Sequence, residues 1–235
     1  SLILSLCGDS QAVPLLVRSL EAPDLEVRYR AAYSLLEYFA DERGIGIMID
    51  ALYHGDDNWR ILAAGVLEEF DDPGVTAAFA RALHDPESYV RRTAIKALAK
   101  TGDQSVVGAL VPALDDEDFW SRRQVIESLG KLGGQQAAEA LRDLVSYHMD
   151  EHMRCLAVEA LAAVGDPSAL EAFRRALADG DPSVRSAASS GLDSWARSES
   201  CVESLRRIYS VMQEDTRSGA EGDRVRLVSR LWSIG

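Results

Sequence analysis

Val90-Arg91-Arg92-Thr93-Ala94-Ile95-Lys96-Ala97-Leu98-Ala99-Lys100-Thr101-Gly102 is the stretch that decides the fold. Small or apolar residues stand at Val90, Ala94, Ala97, Leu98 and Thr101, the offsets of a helix with one buried face. Gly102 follows, where a left-handed residue ends such a helix. The pattern returns along the chain at a nearly fixed interval, so the stretch predicts one unit of a helical array.

Taking the arginine after the first apolar position as a marker, it falls at Arg28, Arg60, Arg91, Arg122, Arg154 and Arg185, at intervals of 31 or 32 residues. Three residues later stand Ala31, Ala63, Ala94, Val125, Ala157 and Ala188; seven later, Leu35, Leu67, Leu98, Leu129, Leu161 and Leu192. Four before it stand Asp24, Asp56, Glu87, Asp118, Asp150 and Asp181, where an acid can cap the second helix of each unit. Eight before it stand Leu20, Leu52, Leu83, Leu114, Ser146 and Leu177.

Each unit of about 31 residues reads as two helices, the second carrying the marker. The first helices are expected at Ser10–Leu20, Arg43–Tyr53, Pro73–Leu83, Gln104–Leu114, Gln135–Tyr147, Pro167–Leu177 and Glu199–Met212. Asp72-Pro73 and Asp166-Pro167 read as a cap followed by a proline at the first helical position. Pro23, Pro86 and Pro182 are expected in the turns between paired helices, and Pro112 is expected to kink a helix end. The domain expectation is a single array over 1–235. A remnant of a preceding repeat occupies 1–8, since Leu4 and Gly8 match the columns of a second helix. Repeats follow at 10–38, 43–71, 73–101, 104–132, 135–164 and 167–196, then a C-terminal repeat at 199–235 with a polar insertion at 213–222. Either Arg224 or Arg226 can serve as its marker.

Of the 235 residues, 47% are apolar and 7% aromatic, a folded chain suited to close helix packing. The formal charge of -13 argues against a general binder of phosphate backbones. Cys7, Cys155 and Cys201 are scattered and form no CxxC pair, so neither a disulfide framework nor a zinc knuckle is expected. A reducing cytoplasm is the expected location. The apolar runs are too short to span a bilayer, and Ser1-Leu2-Ile3-Leu4-Ser5-Leu6 lacks a basic segment before it.

Asp181-Pro182-Ser183-Val184-Arg185 and Val164-Gly165-Asp166-Pro167 give the unit its character. The chain resembles the HEAT repeat, and more narrowly the short bacterial HEAT-like repeat named after phycobilisome lyases. The resemblance covers essentially the whole chain. It implies an all-α fold, an α–α superhelix of the HEAT/armadillo-like solenoid type with about six to seven repeats, its second helices lining the concave face.

On that implied face the residues vary between repeats, as a binding surface does. Tyr29, Tyr33 and Trp59 lie in the first two repeats; Arg92, Lys96, Lys100, Trp120, Arg123 and Lys131 follow in the next two. A basic centre in an acidic protein suits a protein or peptide partner with an acidic segment and an apolar anchor. The expected function is therefore a non-enzymatic interaction module or scaffold, with no cofactor, metal, nucleic acid or membrane assigned.

The catalytic alternatives rest on the resemblance. A phycobilin lyase-like protein attaching or detaching a chromophore is one; an alkylpurine DNA glycosylase on a HEAT-like scaffold is another, which the net charge disfavours. Deoxyhypusine hydroxylase, a di-iron HEAT-type enzyme, carries His-Glu pairs directly after the marker; here those positions read Tyr29-Arg30, Ile61-Leu62, Arg92-Thr93, Arg123-Gln124, Cys155-Leu156 and Ser186-Ala187. His148 and His152 are four apart, a spacing that holds a metal on one helix, but Asp150 between them sits in the cap column and predicts a helix boundary. Cys155 beside Arg154 reads as an ordinary cysteine, and no phosphate-binding glycine loop or nucleophile elbow occurs.

Overall fold

The computed structural model describes residues 10–166 and 169–196. Among these, every regular element is helical: α1 (Ala12–Ser19), α2 (Leu25–Phe39), α3 (Ile45–His54), α4 (Asp57–Leu67), α5 (Pro73–Ala82), α6 (Ser88–Lys100), α7 (Val107–Leu110), α8 (Phe119–Leu132), α9 (Gly134–Tyr147), α10 (Glu151–Val164), α11 (Ala169–Ala176) and α12 (Pro182–Ala196). The chain forms two compact units, one ending at Leu141 and the other beginning at Arg142. The expected remnant at 1–8 and the C-terminal repeat at 199–235 lie outside the described residues.

The repeat columns explain the packing. In the alanine column Ala31, Ala63, Ala94, Val125, Ala157 and Ala188 are buried, and in the leucine column Leu35, Leu67, Leu98, Leu129 and Leu161 are. Small side chains three residues after the marker let helices approach closely, and each buried leucine contributes roughly 2 kcal/mol of transfer free energy. In the first unit the second helices α2, α4, α6 and α8 pack successively against one another, and α3 packs on α5. In the second unit α10 packs against α12, with α11 against both.

The helix starts follow the acid column. Asp24, Asp56, Asp118, Asp150 and Asp181 each accept a backbone N–H in the first turn of their second helix, at 2.8 or 2.9 Å. Glu87 departs from the expectation and makes no such cap. Its own N–H is held by Asp85 at 2.8 Å, as those of the capping Asp118 and Asp181 are held by Asp116 and Asp179, so the extra methylene of glutamate is what sets its carboxylate apart. Pro182 is not in a turn but opens α12, directly after its capping aspartate.

The fourth first helix is broken. A 3-10 turn at Gln104–Val106, the single turn α7 and a second 3-10 stretch at Val111–Asp115 replace the continuous helix expected over Gln104–Leu114. Pro112 has no N–H to continue the α ladder, so the chain tightens around it. Gly102, Gly133 and Gly165 adopt positive φ after α6, α8 and α10. After α2 that place falls to Ala40, at φ 49°.

Candidate functional site

The markers themselves are structural. Arg28, Arg60, Arg91, Arg122, Arg154 and Arg185 each turn one guanidinium nitrogen onto carbonyls five or six residues earlier, in the turn before their own helix. Three of them also reach the next repeat: Arg60 Nε donates to Asp85 at 2.9 Å, Arg91 to Asp116 at 2.7 Å and Arg154 to Asp179 at 2.8 Å. These three aspartates stand six residues before the next marker, a column distinct from the capping acids. The Asp116 carboxylate raises Arg91 above the usual guanidinium range, and the Arg154 guanidinium lowers Asp179 against the opposing effect of burial.

At the first repeat, Tyr29 is buried at 2% exposure, which removes it from the expected exposed face. The Trp59 ring packs edge-on against it at 5.4 Å, and the Tyr29 hydroxyl donates to Asp50 at 2.9 Å. Burial, reinforced by the Asp50 carboxylate, pushes the phenol up to about 12. Trp59 is half-buried, its indole N–H donating to Glu26 at 2.8 Å. Tyr33 is also half-buried, raised by burial and by Glu37. Tyr29 and Trp59 join α2 to α4 through their rings, and Trp59 also through its bond to Glu26.

Four of the five basic residues of the next repeats are paired with an acid. Arg92 donates to Asp118 at 2.8 Å, across from α6 to the cap of α8. Lys96 pairs with Glu68 at 3.1 Å. Lys100 pairs with Glu69 at 3.6 Å and donates to the Glu68 carbonyl at 3.2 Å, capping the C-terminal end of α4. Arg123 pairs with Glu127 one turn along α8 at 2.8 Å. Lys131 is exposed in the last turn of α8, where it complements the helix dipole. Arg92, Lys96, Lys100 and Arg123 thus each already hold one carboxylate, with the Lys96 and Lys100 side chains still 61% and 59% exposed.

Trp120 differs from Trp59. It stands 57% exposed on α8. Phe119 meets its edge at 5.4 Å and the Arg123 guanidinium lies 5.8 Å from its ring centre. Arg92, Trp120, Arg123, Gln124 and Glu127 line an open cavity of about 460 Å3. Sequence reasoning found Trp120 but missed two apolar side chains on the same layer of helices, Leu62 on α4 and Tyr89 on α6, 40% and 45% exposed. Tyr89 stands two residues before its marker, as Trp120 does, which is the signal that could have found it.

In the second unit, His148 and His152 are separated as expected. Asp150 caps α10 between them, and the His148 Nδ1 accepts the Asp150 N–H at 3.1 Å. Burial pushes the Cys155 thiol up, and Asp181 and Glu159 add to it, so it is not held as a thiolate.

The HEAT-repeat model matches this chain in three overlapping stretches, 45–124, 75–147 and 144–221. The chain belongs to the HEAT-repeat family. As a HEAT-repeat protein it shares its fold with an engineered protein that is 21% identical, over 80% of this chain and 58% of that one, with a TM-score of 0.55. It is also similar to human deoxyhypusine hydroxylase in complex with glycerol, at 20% identity over 84% of this chain and 78% of that one, TM-score 0.49. The complex of CpcE and CpcF of the phycocyanin lyase from Nostoc sp. PCC7120 is 24% identical over 77% of this chain and 75% of that one, TM-score 0.49. No curated protein matches the sequence. Among the described residues no helix is long and apolar enough to cross a membrane.

Proposed function

We propose that this HEAT-repeat chain is a non-catalytic interaction module that docks a protein or peptide on the second-helix layer of its first unit. One observation carries the reading: Trp120 stands 57% exposed within a ring of polar and charged groups. Exposed tryptophan beside arginine is the composition of a binding hot spot, where one large ring is desolvated and a cation fixes the register. The partner carries an apolar anchor for Trp120 and an acidic segment for Arg123, Arg92 and Lys96. The module works in a reducing cytoplasm, which the free thiol of Cys155 suits.

The test is affinity capture from the native host, with a Trp120→Ala/Arg123→Glu variant beside the wild type. Both side chains are exposed, so the variant is expected to fold with the wild-type melting temperature. The wild type should retain a partner that the variant loses. Identical captured sets would overturn the placement of the docking face.

A further inference from the structure

The helices that carry the markers do not all run equally far. α2, α6, α8 and α10 continue nine to eleven residues past Arg28, Arg91, Arg122 and Arg154, whereas α4 stops seven past Arg60. The cause is in the sequence. Nine residues after the marker α6 and α8 carry Lys100 and Lys131, which suit the negative end of a helix dipole, but there α4 would carry Glu69, with Glu68 beside it. The chain turns away instead, and Asp72 caps α5 three residues later. A hollow of about 180 Å3 lies at the end of α4, lined with carbon by Phe70, Val75, Phe79 and Ala97. Six residues after their markers Ser34, Val66, Ser128 and Ala160 are buried, while Ala97 in the same column is only half-buried.

The polar groups of the same hollow accept far more than they donate. Glu68, Glu69 and Asp71 bring three carboxylates to it. The Thr76 hydroxyl gives its proton to the Asp72 carbonyl at 3.3 Å and the Thr101 hydroxyl to the Leu98 carbonyl at 2.7 Å, so each has lone pairs left to offer. Among the described residues of the lining, Lys100 is the only cation, and its ammonium already serves the Glu68 carbonyl at 3.2 Å and Glu69 at 3.6 Å. Lys96 answers Glu68 at 3.1 Å. Asp71 is exposed and pairs with no cation among the described residues, so three carboxylates stand against two ammonium groups. Glu68 and Thr101, which end α4 and α6, both border the hollow, and the dipoles of these two helices therefore add negative potential to it.

Such a lining asks for a ligand with a carbon stem and a cationic, donor-rich head. The hollow is smaller than the ~300 Å3 or more of a small-molecule site, and so suits one side chain. An apolar side chain would cover the rim acceptors without giving them a proton, and an acid would be repelled. A guanidinium carries five N–H donors in a fixed fork and is more weakly hydrated than an ammonium, which fits several acceptors around one mouth. We infer that this hollow receives a single arginine from a basic segment of a partner protein, its methylenes on Phe79 and Ala97 and its guanidinium at Glu69 and Asp71. The site goes beyond the docking face at Trp120, whose anchor is apolar, and does not depend on it.

The test titrates the whole protein, labelled with nitrogen-15, with a blocked pentapeptide of one arginine among glycines and with its citrulline twin, which keeps the stem but loses the charge. The arginine peptide should shift the backbone amides of Phe70, Val75, Ala97 and Thr101 in a saturable way, and the citrulline peptide should bind about tenfold more weakly. Ala97→Leu fills the hollow and should abolish these shifts. Asp71→Asn lies on the exposed rim, should keep the wild-type melting temperature, and should weaken the arginine peptide to the level of the citrulline one. Trp120→Ala should leave all of this unaltered. Equal affinity for the two peptides, shifts centred on other amides, no shift at all, or an Asp71→Asn variant that binds like the wild type would each overturn the inference. Host capture lost with Trp120 while these shifts fail would leave the docking face standing and remove only the arginine site.

Discussion

Arg91 and Arg122 stand at the same place in two consecutive repeats, and their surroundings differ on one side only. Each donates through Nη1 to two carbonyls of the turn before its helix. Arg91 also grips Asp116 with Nε and Nη2, at 2.7 and 2.9 Å, both side chains more than nine-tenths buried. Arg122 has no such acid: its Nε is buried without a hydrogen-bond partner, and the residue 25 positions on is Tyr147 rather than Asp. The half shared by both arginines organises the turn within a repeat. The half that only Arg91 has fixes one repeat against the next. A buried ion pair of this kind adds little net stability over well-packed apolar side chains, but losing one partner is costly. Its contribution is therefore to register, since Asp116 also accepts the Asp118 N–H at 2.8 Å and so sets the turn that precedes α8.

The largest break in this comparison is Asp116→Ala. It strands the Arg91 guanidinium and frees the Asp118 N–H, and should cost about 3 kcal/mol or more in chemical denaturation. Acid should act next, through the equivalent rung at Arg154 and Asp179. The Asp179 carboxyl is held below the usual aspartate range by Arg154, against the effect of burial. A carboxyl lowered in the folded state contributes stability above its unfolded value near 4, and that contribution is lost as pH falls through its folded value. Thermal midpoints should thus decline below about pH 4, and Asp179→Asn should flatten that decline while lowering the midpoint at neutral pH. Arg122→Met should cost only about 1 kcal/mol, since it removes two carbonyl bonds but also an unpartnered buried nitrogen. A loss at Arg122 equal to that at Asp116 would show that the shared half of the motif, not the inter-repeat acid, holds the repeats.

Much of the fold was legible because its cause is periodic. A column of alanine and leucine repeated every 31 or 32 residues can be read without knowing what touches it, and the acids before each marker read directly as caps. The acids that grip the arginines were harder to see. Asp85, Asp116 and Asp179 fill their column in three repeats, while Ala22, His54 and His148 stand there in the others. The candidate site was less legible, because exposure depends on which side chain the neighbouring repeat offers. Tyr29 is covered because Trp59 lies on it; Tyr89 is open because Gly65 faces it. Both are tyrosines near the start of a second helix. The paired state of Arg92 and Lys96 was hidden for the same reason, since Asp118 and Glu68 come from adjacent repeats.

Ala40 gives the array an uneven set of stops. It takes the left-handed conformation, φ 49° and ψ 37°, that Gly165 supplies after α10. A side chain in that conformation costs about 1 kcal/mol relative to glycine, a strain the contacts around α2 must hold in place. The end of α2 is therefore loaded like a spring. Opening there releases that strain, and amide exchange should begin at Ala40 and Asp41, whose N–H groups bond the Leu36 and Leu35 carbonyls, before it reaches the leucine column behind them.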